Sequence, residues 1–409
     1  MHSEQLYAQI LGVTDPWKVV RVELDMPRKV EVFVELDRDG QVPCPECNEG
    51  CPRHDTRTRS WRHLDTCQLQ TVLTAEVPRA DCREHGIRQV SVPWATAGSR
   101  LTLMLEALVI DWLKVACIQD VSDGLGLSWG QVDGVMQRAV NRGLARREAK
   151  CPTKIGVDET SFKKRHKYVT VVSNLETGEV VHVGEGRGKQ ALEDFYEQFS
   201  DEKLAAIEAV AMDMHAPYIS ATQSKVPGGE RKICFDKFHV AASLGAAVDK
   251  VRREENRELR REGDDRLVHT RYLWLSNPTK MSEERWQGFE HLRDSALRTA
   301  RAWAIKEAAM GVWEQDAHPT LLHQYWKQAI NWGRRSKLEP MKKVMKTLRD
   351  HLDGIIRAQR LRISNARAEG INSVIQMLKR RAKGFRNPRR FRRAIYFHLG
   401  NLDLYPMAV

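Results

Sequence analysis

The feature that most constrains the fold is a series of short apolar segments in the middle of the chain. Strands are predicted at residues 155–157, 168–173, 180–183, 209–212 and 232–235. The turn residues at 176–178 make the second and third of these a β-hairpin. An amphipathic helix is predicted over residues 190–199, and a second helix begins at Pro217. This order of elements is that of an α/β core.

Two of the predicted strands lead directly into an aspartate, Asp158 and Asp213. A carboxylate at the end of a strand emerges at the sheet edge, where α/β active sites lie. Carboxylate oxygens of this kind hold the pair of divalent cations that neutralises the attacking and leaving oxygens in phosphodiester cleavage. The alternative is that each aspartate only ends a strand or caps a helix, which is the commoner role of a single Asp among 54 acidic residues.

A third carboxylate, Glu369, lies in a predicted amphipathic helix. The apolar face of this helix consists of Ile371, Val374, Ile375 and Leu378, and its polar face of Glu369, Asn372 and Gln376. If the apolar face packs against the core, the polar face is presented to the sheet edge. Spacing alone does not establish that the three carboxylates form one site.

Five of the eight cysteines lie within 39 positions near the N-terminus, which indicates metal binding in a chain without a secretion signal. Cys44 and Cys47 have the spacing of a zinc knuckle. Cys82 and His85 repeat that spacing and leave room for a β-hairpin between the pairs, whereas Cys51 and His54 would form a more compact site. We favour Cys82 and His85, and we expect a closed, structural Zn²⁺ site. The remaining thiols are predicted to be buried, at Cys67, Cys117, Cys151 and Cys234.

Residues 118–142 form a candidate helix-turn-helix, with a turn at Gly126 and a predicted helix stop at Gly143. Ser128 and Gln131 are spaced as a capping box at the start of the second helix. Trp129, Gln131 and Gln137 are the candidate DNA contacts. Many helix pairs of this type serve only packing, and that alternative stays open.

The charge balance favours a polyanionic partner, because 66 Lys and Arg exceed 54 Asp and Glu and give a net charge of +12. A dense basic run follows the Glu369 helix, and we expect it to contact DNA phosphates. Its nine cations are Lys379, Arg380, Arg381, Lys383, Arg386, Arg389, Arg390, Arg392 and Arg393. The charged stretch 251–265 is predicted to be a solvated helix face. No apolar run is long enough for a membrane span, and we expect a cytoplasmic protein.

Four ordered segments resemble the ISL-three family of insertion-sequence transposases. They cover residues 155–162 around Asp158, 211–218 around Asp213, 235–240 with Asp236 and His239, and 364–372 with Glu369. The similarity extends over essentially the whole chain, including the N-terminal cysteines, and it points to Cys82 and His85 as the second zinc pair. At that pair the sequence departs from the two cysteines commoner in the family.

The resemblance implies an RNase-H-like catalytic core, in which Asp158, Asp213 and Glu369 bind two Mg²⁺ or Mn²⁺ ions. The 156 positions between Asp213 and Glu369 are too many for a bare core, so a helical insertion domain is expected there. Asp236, His239 and Asn372 are expected to support the metal ligands; for Asp236 and His239 we favour a purely structural role, with DNA or metal contact as the alternative.

The predicted architecture is therefore a multidomain α/β protein. Its parts are a β-rich zinc ribbon (1–95), a helix-turn-helix (96–150), the first part of the catalytic core (151–240), a helical insertion (241–362), and the final core helix with a basic tail (363–409). The resemblance implies cleavage and strand transfer at the terminal inverted repeats of an insertion sequence and in target DNA, by a homodimer on the bacterial nucleoid. The alternatives are a non-catalytic DNA-binding regulator and a metal-dependent nuclease or resolvase that does not join strands.

Overall fold

The computed structural model describes residues 2–37, 40–163, 167–363 and 366–406; the side chains of Lys163, Ala366, Ala368 and Glu369 lie outside this description. The chain divides into two compact units. The first comprises Met1–Arg147 with Tyr396–Val409, and the second comprises Glu148–Ile395. None of the described helices has the length and apolar character needed to cross a membrane.

The first unit begins with a β-rich region. Its elements are α1 (Ser3–Leu11), β1 (Trp17–Asp25), β2 (Lys29–Leu36), β3 (Val42–Pro43), β4 (Gly50–Cys51), β5 (Arg53–Arg62), β6 (Gln70–Cys82) and β7 (Gly86–Gln89). Strands β1, β2, β6 and β5 form a sheet in that order, β7 pairs with β6, and β3 pairs with β4. The alternating pattern of β2 buries Val30, Val32 and Val34, as strand periodicity predicts.

Three helices follow in the same unit: α2 (Leu103–Val115), α3 (Ile118–Leu125) and α4 (Trp129–Arg146). Ser128 and Gln131 form the predicted capping box at the start of α4. Gly126 ends α3 in the left-handed conformation, with φ 61°, which glycine adopts without steric cost. The helix-turn-helix geometry predicted for this segment is therefore present.

The predicted helix stop at Gly143 is wrong, because α4 continues to Arg146. Glycine is needed there for packing instead of for termination. A Cβ atom at this position would lie 2.6 Å from Cβ of Leu402 and 3.2 Å from the carbonyl oxygen of Asp403. Arg142 also donates a 2.8 Å hydrogen bond to the carbonyl of Leu404. Residues 402–404 are thus packed tightly on α4.

The second unit begins with an α/β region. Its elements are β8 (Lys154–Lys163), β9 (Lys167–Asn174), β10 (Val180–Glu185), α5 (Lys189–Tyr196), α6 (Asp201–Ala205), β11 (Ala209–Met212), α7 (Ala216–Lys225) and β12 (Ile233–Phe235). The predicted order of strands and helices is confirmed, with the short α6 added. The strands form one sheet in the order β10-β9-β8-β11-β12. Strand β9 is antiparallel to β8 and β10, whereas β11 is parallel to β8 and β12.

The rest of the second unit is helical. Its helices are α8 (Lys237–Arg261), α9 (Arg271–Leu275), α10 (Glu283–Arg293), α11 (Arg298–Trp313), α12 (Pro319–Arg335), α13 (Glu339–Asp350), α14 (Leu352–Arg360), α15 (Ala366–Arg381) and α16 (Pro388–Leu399). The last turn of α16, from Tyr396, belongs to the first unit. Trp274 and Trp326 are fully buried, so these two tryptophans are part of the core of this stretch.

The solvated face predicted for residues 251–265 is only partly present, because Arg252 and Glu255 are buried. The Glu255 carboxylate accepts hydrogen bonds of 2.7 Å from the backbone N–H groups of Arg298 and Thr299. It therefore caps the first turn of α11, whose N–H groups have no partner within the helix. A cap supplied by a residue 43 positions away leaves no local pattern in the sequence.

Candidate active site and metal centre

Asp158 and Asp213 lie side by side on one face of the central sheet. Ala211 of β11 pairs with Gly156 of β8, and each aspartate lies two residues beyond this pair. Paired positions of parallel strands project to the same face, and the face repeats every second residue. The sequence suggested that this strand ends at Asp158. That expectation is wrong, because β8 continues beyond Asp158 and still pairs with β9.

The Asp158 carboxylate is half-buried and held from two sides. Its Oδ1 accepts a 2.7 Å hydrogen bond from the N–H of Glu159, and its Oδ2 accepts one of 2.5 Å from the amide of Asn372. Burial raises the pKa of Asp158 and the charge of Asp213 acts in the same direction, while these hydrogen bonds and His239 oppose the shift. Asp213 is therefore close enough for the two carboxylates to repel each other.

Helix α15 lies along β8 through a stripe of polar side chains. Besides Asn372, the amide of Gln376 donates to Oγ1 of Thr160 at 3.2 Å, and Lys379 donates to the carbonyl of Ser161 at 2.5 Å. On the neighbouring face of the helix Ile371, Ile375 and Leu378 are buried, which confirms the predicted apolar face. Glu369 is three positions before Asn372, so its backbone position is on the polar stripe; its side chain lies outside the described residues.

Asp236 continues the line of aspartates on the next strand. Met212 of β11 pairs with Phe235 of β12, so Asp236 follows in register with Asp213. Asp236 is buried, and its Oδ1 caps α8 by accepting hydrogen bonds from the N–H groups of Phe238 and His239 at 2.5 and 3.3 Å. The Nε2 atom of His239 lies 3.5 Å from Oδ2 of Asp236.

Sequence reasoning did not single out the side chains behind Asp213. The N–H of His215 donates to Oδ1 of Asp213 at 3.1 Å, and the ring of His215 packs edge-on against Tyr218. Tyr218 is buried and exchanges a 2.8 Å hydrogen bond with Thr170. Burial raises the pKa of Tyr218 above its ordinary value, which keeps the hydroxyl neutral. The sequence signal for these two residues was their spacing after Asp213, at the start of a predicted helix.

Four side chains of the first unit converge as a candidate metal centre. One potential ligand atom from each of Cys44, Cys47, Cys82 and His85 lies within 4.8 Å of the other three. Sγ of Cys82 is 3.5 Å from Nδ1 of His85 and 3.8 Å from Sγ of Cys47. Three thiolates and one imidazole are a normal set for a closed, tetrahedral zinc site. This Cys₃His cluster supports structural zinc.

The remaining cysteines differ in exposure. The predicted burial is confirmed for Cys234, whereas Cys117 and Cys151 are only half-buried. Cys67 is exposed, so the prediction that it is buried is wrong. Cys67 and Gln68 have positive φ, 50° and 68°, because they form the turn before β6. A turn residue of this kind projects its side chain outward even when the side chain is apolar.

The candidate DNA contacts of the helix-turn-helix lie on α4. Gln137 is exposed, and Trp129 and Gln131 are half-buried. The Oε1 atom of Gln131 accepts a 2.8 Å hydrogen bond from the N–H of Ser128 as part of the capping box. Its amide N–H₂ group is therefore the part of this side chain suited to contact a base.

The basic run separates into exposed and packed side chains. Phe391 is fully buried against Phe162 and Phe385, so α16 has a core-facing side. Lys379 is half-buried on Ser161, and Arg392 lies 3.3 Å from Glu185. Half-buried positions are also found at Arg381 and Arg393. The exposed cations are Arg380, Lys383, Arg386, Arg389 and Arg390.

Family comparisons agree with this arrangement. A model described as a transposase matches residues 155–395, which contain the aspartates and α15. A model described as the zinc finger of transposases IS204/IS1001/IS1096/IS1165 matches residues 40–85, and one described as the helix-turn-helix domain of transposase family ISL3 matches residues 90–140. Together, the sheet with its aspartates, the zinc-binding cluster and the helix-turn-helix define a transposase. The chain belongs to the ISL3 family of transposases.

Relatives match over nearly their whole length. The chain is 28% identical over 425 residues to the transposase for insertion sequence element IS1557 of Mycobacterium tuberculosis, an alignment covering 95% of this chain and 94% of the relative. It is 26% identical over 388 residues to the transposase for insertion sequence element IS1001 of Bordetella parapertussis, covering 93% and 95%. All three parts of the molecule thus have counterparts in these transposases.

Proposed function

We propose that this chain is a DDE-type transposase in which Asp158, Asp213 and Glu369 hold two Mg²⁺ or Mn²⁺ ions. It cuts DNA at the ends of an insertion sequence and joins the freed 3′-OH to target DNA. The observation that carries the proposal is the alignment of Asp158 with Asp213 on one sheet face, with Asn372 of α15 bonded to Asp158. The position of Glu369 one turn before Asn372 supports its inclusion as the third ligand.

The strand order supports an RNase-H-like core. Numbered along the unit, the strands lie in the order 3-2-1-4-5, with only the second antiparallel to the first. Helices α8–α14 lie between β12 and α15 in the chain, which supports an inserted helical domain over residues 241–362. The boundaries at residues 95, 150, 240 and 362 are part of the same proposal.

The donor set fits hard divalent cations, because these prefer carboxylate oxygens. When bound, two such ions stabilise the attacking and leaving oxygens of an in-line displacement. The chain's own residues hold the ligands in place: Asn372 and the N–H of Glu159 fix the Asp158 carboxylate, and the N–H of His215 fixes that of Asp213. Asp236 and His239 tie the start of α8 to the same sheet edge.

The first unit is proposed to recognise the terminal inverted repeats. Zn²⁺ held by Cys44, Cys47, Cys82 and His85 fixes the loops that carry these ligands, and α4 reads bases through Trp129, Gln131 and Gln137. The exposed cations after α15 bind phosphates of the DNA being cut, which predicts strong salt dependence. Pairing of two element ends implies a homodimer on DNA.

The deciding experiment compares wild type with Asp158→Asn on duplexes carrying the ends that flank this gene. With Mg²⁺, wild type is expected to release a 3′-OH end and join it to target DNA, and the variant to lose at least about a hundred-fold of both activities. Asp201→Asn is the matched control, because Asp201 is exposed on α6 of the same unit. Equal cleavage by wild type and Asp158→Asn contradicts the proposal, and cleavage without joined product supports a nuclease instead.

A further inference from the structure

Phe238 is a large apolar side chain left 54% exposed at the start of α8. It lies between Asp236 and His239, next to the sheet edge that carries the aspartates. Its ring packs edge-on against that of His239, with centroids 5.6 Å apart and planes at 75°. Single exposed apolar side chains are common on protein surfaces, so the exposure of Phe238 is informative only through its position beside the edge that carries the aspartates and at the mouth of a cavity.

The ring opens into a large cavity. This space of about 1160 Å³ extends from Asp236 and Phe238 along α8, past Ala241 and Gly245, to α11. Apolar side chains of α11, including Met310 and Trp313, line the far wall. Gly311 is on the same wall, and a Cβ atom there would meet nothing within 4 Å. The cavity therefore has room for a flat group larger than an amino-acid side chain.

Charged side chains on the rim are paired with each other. Lys237 forms an ion pair with Glu314, and Arg362 lies 3.2 Å from Asp316. Asp236 caps its own helix. Because the charged residues that line the cavity comprise three cations and four carboxylates, the rim does not concentrate positive charge as a phosphate cradle does. The wall is suited to a planar, largely apolar group with polar edges.

We propose that Phe238 stacks on a nucleobase that leaves the duplex beside the scissile phosphate and enters this cavity. The inference rests on the proposed function, since it needs DNA at Asp158 and Asp213. Aromatic side chains bind unpaired bases of any sequence by stacking. A protein pocket can hold a nucleotide outside the base stack, as it does in enzymes that modify bases. Holding that base outside the duplex keeps the backbone bent open at the aspartates.

The test combines substitutions at Phe238 with changes in the DNA and measures binding affinity for each combination. Element-end duplexes are made with a normal pair, a mismatch or an abasic site at each terminal position, and their affinities are measured with Ca²⁺ in place of Mg²⁺. At one position, wild type is expected to bind the mismatched end about ten-fold more tightly than the abasic end, because only the former has a base to stack. Phe238→Leu is expected to bind the two equally, and Phe238→Trp to behave as wild type.

Tyr272→Leu is the matched control, because Tyr272 is an exposed aromatic residue of the same unit, 66% exposed, that does not line the cavity. This variant is expected to keep the wild-type ratio of affinities for the mismatched and the abasic ends. The proposal is overturned if wild type and Phe238→Leu give the same ratio at every position, or if wild type binds no element end. Cleavage by the Asp158→Asn variant distinguishes failure of the proposed function from failure of the Phe238 inference. If it cleaves like wild type, the proposed function fails even when the Phe238 ratio is as expected; if only the ratio fails, the inference alone is wrong.

Discussion

The side-chain amide of Asn372 donates a 2.5 Å hydrogen bond to Oδ2 of Asp158, and so joins α15 to β8, the central strand of the five-stranded sheet of the second unit. The two residues are 214 positions apart in the chain. The bond fixes the orientation of the carboxylate and brings the helix that carries Glu369 to the same edge.

Asn372→Ala is expected to raise the Mg²⁺ concentration needed for cleavage by about 10- to 100-fold, because groups that orient metal ligands contribute that much to affinity or activity. The measurement is a Mg²⁺ titration of cleavage at saturating DNA. Ser373→Ala is the control, since Ser373 is exposed on the same helix. An unchanged titration for Asn372→Ala would show that the hydrogen bond does not position Asp158 for metal.

Cys44→Ser is expected to remove Zn²⁺ and unfold the β-rich region, because three ligands no longer close the coordination shell. His54→Ala is expected to retain one zinc per chain, since His54 lies outside the Cys₃His cluster and is exposed. Zinc content after gel filtration and thermal unfolding measure both outcomes. Loss of zinc in His54→Ala would instead favour the competing Cys51 and His54 pair.

Gly143→Ala is expected to destabilise the first unit by roughly 1–3 kcal/mol, because the added methyl group overlaps Leu402. Gly134→Ala on the same helix is expected to stabilise by about 0.5–1 kcal/mol, since its Cβ atom would meet only Nη1 of Arg138, at the ordinary contact distance of 3.4 Å. Thermal unfolding monitors both variants. If both substitutions stabilise the protein, close packing is not the reason that residue 143 is a glycine.

His63 is expected to make the first unit less stable in mild acid. Burial lowers the pKa of His63 to about 4 from 6.5, and Arg62 adds to the shift. The folded state therefore resists protonation, so the full contribution is present above pH 6.5 and is lost as the pH falls toward 4. The loss approaches about 3 kcal/mol. Urea unfolding from pH 7 to 5 should show a shallower pH dependence for His63→Gln, and equal slopes would contradict the shift.

The succession of strands and helices along the second unit and the position of Asp213 after a buried strand were predictable from the sequence, because short apolar strands are local patterns. The continuation of β8 beyond Asp158 was not predicted. The capping box at Ser128 and the two faces of α15 are local in the same way. Each depends on residues within one or two turns of the chain. Such patterns are visible before any tertiary contact is known.

The errors at Gly143 and Glu255 have a different cause. Gly143 was predicted to end a helix because its contact with Leu402 is distant in the sequence. Glu255 was assigned to a solvated face because the N–H groups that it caps belong to another helix. Phe238 carried no signal either, since its exposure depends on how α8 and α11 line a common cavity. Contacts between distant segments decide these roles.

The packing of residues 402–404 on α4 also affects the order in which the molecule matures. Arg142 bonds to the carbonyl of Leu404, 262 positions later, so the DNA-recognition helices lack part of their packing while most of the polypeptide is still being made. During synthesis on the ribosome, this unit reaches its final form only after residues 148–395 have emerged. A polypeptide that stops before residue 402 would therefore contain the helix-turn-helix sequence without its finished packing.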